Sequence, residues 1–212
     1  MSTSASRYSG FSPNQLPGQP WARRRATLCN AAAVNRTEIE ITLNRGRADA
    51  LETLAAMDDD ELRAPRTRSE HDPDSWWSWA DHFIHISLIE RNFNAMIRRH
   101  LAGEQGMDRA MVDESGKALR PLGDIMAYVH ELTESWKVKH EGKPLQELVR
   151  ISSAIRAETL NLLSEIDDEQ LQSKIPGAPW SDGTVGGIMA AHSGHWKMHR
   201  KWAQEAEPAH AG

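Results

Sequence analysis

Beyond residue 34 the apolar positions recur at helical rather than strand spacing. Val34, Ile41, Ala48, Leu51 and Ala55 keep an approximate 3.6-residue period, predicting a first helix near 34–57 that contains Gly46. Arg63–Ser75 holds two prolines and mixed charges and reads as a loop. Ser78 followed by Asp81 has capping-box spacing, with Asp in place of Glu. Trp79, Phe83, Ile86, Phe93 and Ile97 then line one face of a helix running to about 101. Gly103–Pro121 is irregular. Leu122, Ile125, Met126, Val129, Leu132, Thr133 and Trp136 form the next stripe, which Gly142 ends and after which Pro144 suits a helix start. Leu148, Ile151, Ile155, Leu162 and Ile166 carry the following helix, Pro176–Gly183 is a turn-rich loop, and a last helix is expected from about Thr184 to Glu205. No alternating strand stands out. The pattern predicts an all-α fold, an up-down four-helix bundle with one extra short helix.

The chain has 212 residues, enough for one core without disulfides, and its 39% hydrophobic and 26% charged composition is that of a globular domain. No apolar run approaches a bilayer span, so no membrane partner is expected. Twenty-five basic against thirty acidic residues leave a net charge of −5, which offers no basic footprint for nucleic acid. A single cysteine, Cys29, excludes a disulfide framework or thiolate zinc cluster and points to a reducing, cytoplasmic setting. Residues 1–37 hold five Arg and no acidic side chain, and Ser2–Pro20 is rich in Ser, Gly, Pro, Gln and Asn. The expected organisation is a disordered tail over 1–33, a helical domain over 34–205 and a flexible tail over 206–212.

The eight Trp and ten His are the unusual counts. His192, His195 and His199 fall at i, i+3 and i+7 of the last predicted helix, on one stripe about 60° wide. The small Ala190, Ala191, Ser193 and Gly194 around them are expected to let a neighbouring helix approach. His195 and His199, one turn apart, could share a cation, and His82 and His85 sit one turn apart on the second helix. A bundle could bring His85 opposite that pair. Three neutral imidazoles without thiolates suit Zn, Ni, Fe or Mn; the rival reading is a set of satisfied interior or surface histidines. His71, His100, His130, His140 and His210 are expected to be solvated. Asp81 is either an outer partner that orients a ligand ring or a helix N-terminal charge. Trp77 and Trp180, each preceding a His-bearing helix, are either a pocket wall or bundle caps. Trp202 is a candidate oligomer surface, and a homodimer a candidate assembly. No Ser-His-Asp order, phosphate-binding glycine loop or paired-carboxylate signature is present.

Two stretches, WWSWADHFIHI (76–86) and PWSDGTVGGIMAAHSGHWKMHRKW (179–202), resemble the second-helix and last-helix signatures of the DinB/YfiT-like superfamily. The likeness runs over roughly 34–205. It implies a four-helix bundle of DinB-like type whose three metal ligands fall on His85, His195 and His199. His192 matches an often-histidine position beside the site, whereas His82 stands where the family usually has an apolar residue. Several members use a low-molecular-weight thiol such as mycothiol or bacillithiol in transferase or isomerase reactions. The resemblance therefore implies a metal-dependent enzyme of the thiol-dependent S-transferase type, or a hydrolase-like relative, acting on a small-molecule substrate. The alternative is a non-catalytic metal-binding bundle serving as a stress-related binding or interaction protein. Because no proposed ligand lies in residues 1–33, a chain lacking them is expected to melt within about 4–8 °C of the full one. Thermal unfolding followed by circular dichroism checks this, and insoluble truncated protein would contradict it.

Overall fold

Side-chain caps fix where most of the helices begin. In the computed structural model, which describes residues 35–69, 72, 74–107, 117 and 122–206, Asn35 and Glu38 form a reciprocal capping box that starts α1 (Arg36–Ala55). Ser78 and Asp81 do the same for α3 (Trp79–Leu101), as their spacing predicts. Between them lie α2 (Asp59–Arg63) and a two-residue antiparallel ladder of β1 (Thr67–Arg68) and β2 (Trp76–Trp77), which pairs Thr67 with Trp77. A ladder this short has no period to read, so sequence pattern offered no strand. α4 (Leu122–His140) is followed by Gly142 at φ +72°, a left-handed position that suits glycine, and Pro144 caps α5 (Leu145–Glu165). A capping box of Asp167 and Gln170 starts α6 (Asp168–Gln172).

α7 (Val185–Glu205) begins at Thr184, whose hydroxyl accepts from the Gly187 N–H at 2.9 Å. The Asp182 carboxylate accepts in turn from the Thr184 hydroxyl at 2.7 Å. A Cβ at Gly187 would lie 2.1 Å from that carboxylate oxygen, so a larger residue there would have to displace the Asp182 side chain from the cap.

The bundle is built from α1, α3, α5 and α7: α1 packs along α7, and α3 along both α5 and α7. α4 packs chiefly on α3, α2 on α3 and α6 on α7. The helix expected from the stripe over residues 122–136 is α4, at 19 residues longer than the short one anticipated, and among the described residues the five-residue α2 and α6 are additional. The α1 face also differs from the expected one. Ile39, Leu43, Ala50 and Leu54 are buried, while Ile41 is 52% exposed and Ala48 and Ala55 face solvent. Both series have helical spacing; the one carrying two leucines buries more apolar surface and sets the phase. The chain divides into two units, Met1–Ala32 and Ala33–Gly212. The first lies outside the described residues, as do the expected 1–33 tail, residues 207–212, Cys29, His71, His210 and most of Gly103–Pro121.

Two apolar clusters fill the second unit. Trp79, Phe83, Leu88, Leu54 and Trp196 belong to one, and Phe93, Ile97, Leu43, Leu162 and Ile188 to the other. Glu90 and Asn94 of α3 belong to neither; both are buried in a polar network. Arg156 Nε donates to Glu90 at 2.6 Å, the Thr159 hydroxyl donates to the same carboxylate oxygen at 2.6 Å, and Asn94 donates to Thr159 at 2.9 Å. Removing one partner of a buried ion pair leaves the other charge uncompensated. Arg156→Met is accordingly expected to cost about 3–5 kcal/mol in urea unfolding at pH 7, with Glu90→Leu/Arg156→Met restoring part of the loss. A change below about 1 kcal/mol in the single variant would contradict this role for the pair.

Candidate metal centre

The apolar faces of α3 and α7, packed against one another, carry five histidines into the contact between the two helices. One ligand atom each from His85 on α3 and from His195 and His199 on α7 lie within 4.8 Å of one another. The His195 and His199 rings stack 4.8 Å apart at 4°, with their Nε2 atoms 2.9 Å apart. The His85 ring is 4.8 Å from His199 and 5.5 Å from His195. His85 Nδ1 is shielded from solvent and has no hydrogen-bond partner. Two acceptor nitrogens this close repel unless a proton or a cation lies between them, so three converging imidazoles with one orphaned nitrogen fit a borderline divalent ion.

The surroundings hold these rings uncharged. Burial lowers the pKa of His82 to about 4, and burial with the neighbouring His192 lowers that of His195 to about 3. His85 and His199 are pushed well below the ordinary histidine range, first by burial and then by the surrounding histidines. Neutral imidazole is the metal-binding form.

Aromatic side chains and hydrogen bonds enclose the cluster. Trp77 lies parallel to His199 at 6.1 Å and 5.0 Å from His85, while Trp202 meets His199 edge-on at 5.0 Å. Glu134 of α4 accepts from Trp77 Nε1 at 3.1 Å and from the Ser75 hydroxyl at 2.8 Å, which fixes the indole against the rings. His82 is 2% exposed, with Nδ1 2.9 Å from His199 Nδ1 and Nε2 2.8 Å from Thr67 Oγ1.

The structure brings His82, His85, His195, His199 and Trp77 together. His192 stands beside them, donating from Nε2 to the Ile86 carbonyl at 3.0 Å. Asp81 bonds the Ser78 backbone N–H and hydroxyl at 2.8 and 2.7 Å, so its carboxylate serves the helix cap rather than a ring. Trp180 lies apart, packed on Phe93 in the other apolar cluster. Gly194 has open space where a Cβ would stand, and Ala191 is exposed, so these small residues face solvent rather than a close helix. Three histidines expected in solvent are placed otherwise. His140 is buried and donates from Nδ1 to the Trp136 carbonyl at 2.8 Å, His100 bonds Ser173 at 3.0 Å, and His130 is half-buried near enough to His85 to disfavour its charge. Thr67, Glu134, His130 and Trp202 also border the cluster. Only Trp202, three residues beyond His199, has a helical spacing that could have signalled its place.

A family model described as the DinB superfamily matches residues 42–203, a span that includes all three converging histidines. Among solved structures, the chain is similar to an uncharacterised protein from Escherichia coli UTI89 at 14% identity and a TM-score of 0.51, over 81% of this chain and 94% of that one. That likeness bears on the fold alone. No curated protein matches the chain. Among the described residues no helix is long and apolar enough to cross a membrane.

The buried rings dictate a pH dependence. Their folded pKa values lie below the unfolded value of about 6.5, so between the two the unfolded chain binds more protons and stability rises with pH. In chelator-treated protein the stabilisation is complete above about pH 6.5 and is lost as pH falls toward about 4 for His82 and about 3 for His195. Urea unfolding of metal-free protein is expected to show a midpoint that declines from pH 7 to pH 5, and less steeply in H85A/H195A/H199A. A flat midpoint over that range would contradict the buried neutral rings.

Proposed function

The chain belongs to the DinB superfamily, and from that premise we propose that it is a metal-dependent enzyme of the thiol-dependent S-transferase type. The observation that carries the reading is the convergence of the His85, His195 and His199 ligand atoms within 4.8 Å. Zn, Ni, Fe and Mn all accept such a donor set, and three protein ligands leave positions open for water or substrate. A divalent ion held there would lower the pKa of a bound thiol or water and present it as a nucleophile near pH 7. The chain's own part is to bind and orient: three rings kept neutral by burial, and indoles of Trp77 and Trp202 limiting solvent access to His199. The nucleophile would be a low-molecular-weight thiol and the substrate a small electrophile. One observation favours the alternative, a non-catalytic metal-binding bundle in stress-related binding. Trp77 and Trp202 both pack on His199, which narrows the approach to it.

Untagged protein is expected to carry about one ion of zinc, nickel, iron or manganese per chain, and H85A/H195A/H199A to carry none, as elemental analysis would show. Loaded protein given a low-molecular-weight thiol and a chromogenic chloroarene is expected to form the thioether faster than the triple variant does. In that reaction the S–C bond forms, chloride leaves and the thiol proton goes to solvent. Metal retained by the triple variant would overturn the site. A loaded wild type with no thiol turnover would favour the non-catalytic alternative.

A further inference from the structure

His82 is buried at a position one turn before His85, and it touches His199 rather than the space where the three ligand atoms converge. Its two ring nitrogens are both engaged, Nδ1 with His199 Nδ1 at 2.9 Å and Nε2 with Thr67 Oγ1 at 2.8 Å. A neutral imidazole has one N–H and one lone pair, so a hydrogen bond between two neutral rings fixes both tautomers at once. If His82 donated from Nδ1, His199 would carry its own proton on Nε2, the nitrogen that faces His195 at 2.9 Å. That arrangement removes the Nε2 lone pair from the cluster. If His199 donates instead, its Nε2 lone pair is free, and His82 passes the pattern on by donating from Nε2 to Thr67.

We propose that His82 is a positioning residue, which accepts the Nδ1 proton of His199 and donates its own Nε2 proton to Thr67, so that His199 presents Nε2 to a metal. The inference rests on the metal-binding reading above. The link is anchored at both ends. Thr67 is held in the β1–β2 ladder opposite Trp77, and Trp77 packs on His82 at 5.2 Å as well as on His199. Burial keeps His82 uncharged, so it accepts as a neutral ring. Outer hydrogen bonds of this kind set the orientation and tautomer of a ligand imidazole, and losing one weakens metal binding by about 10–100-fold.

The test uses the full chain and zinc alone. Zinc affinity is measured against a competing chelator dye for wild type, H82L, H82N and T67V. Long-range ¹⁵N–¹H spectra of the histidine rings are recorded with and without zinc. H82L is expected to bind zinc about 10–100-fold more weakly. H82N, whose amide oxygen stands near the place of Nδ1 and can accept the same proton, is expected to recover most of that loss, and T67V to lose less than H82L. In the wild-type spectra, His199 is expected to be protonated at Nδ1 both without and with zinc. Equal zinc affinity in H82L and wild type, equal losses in H82L and H82N, or a His199 protonated at Nε2 without zinc would each overturn the inference. Failure of wild type itself to bind zinc, with His199 still protonated at Nδ1, would count against the metal-binding reading and leave the tautomer assignment supported.

Discussion

An imidazole taken out of water must lose its charge and find a partner for its remaining N–H, and this requirement shapes the contact between α3 and α7. His82, His192 and His199 are each at most 5% exposed, and His85 and His195 join them at the same contact. Leaving such groups unsatisfied is costly, so the surrounding structure supplies acceptors: the Ile86 carbonyl for His192 and the Thr67 hydroxyl for His82. The β1–β2 ladder, small as it is, follows from that need. It brings Thr67 beside α3 and sets Trp77 over the rings, while Glu134 of α4 holds the indole from the other side. Of the three converging rings, His85 keeps a shielded Nδ1 without a partner, and the Nε2 atoms of His195 and His199 face each other at 2.9 Å.

The same helices must satisfy a second buried polar group. Glu90 lies on α3 beyond His85 and is neutralised by Arg156 of α5, with Thr159 and Asn94 completing its hydrogen bonds. His192 lies 3.6 Å from the same carboxylate. Polar bonds thus tie α3 to α7 through His82–His199 and His192–Ile86, and to α5 through Glu90–Arg156.

Much of this was legible in the residues. The Ser78/Asp81 spacing marks the start of α3, the Thr184 hydroxyl marks that of α7, and helical periodicity then sends His85, His195 and His199 inward. The all-α class follows from helical periodicity along the chain, and the likeness to the DinB superfamily from the two His-bearing segments. α1 was misphased because two apolar series share its surface and only packing against α7 decides between them. The burial of His140 and His130 has no sequence signal, because a position at a helix end or on a polar face says nothing about what packs over it. Trp180 precedes α7 much as Trp77 precedes α3, but it packs on Phe93, a tertiary outcome without a local signal. Thr67 could not be found at all, because a lone hydroxyl in a loop acquires meaning only when a two-residue ladder places it against His82.

The central claim is that α3 and α7 form one site in which His85, His195 and His199 meet at a single cation. Anomalous diffraction at the zinc edge, from crystals of the full chain grown with zinc, tests this most directly. One strong peak per chain is expected within bonding distance, about 2.0–2.1 Å, of a nitrogen from each of the three rings. A peak coordinated elsewhere on the chain, or none at the three histidines under zinc in excess, would contradict it.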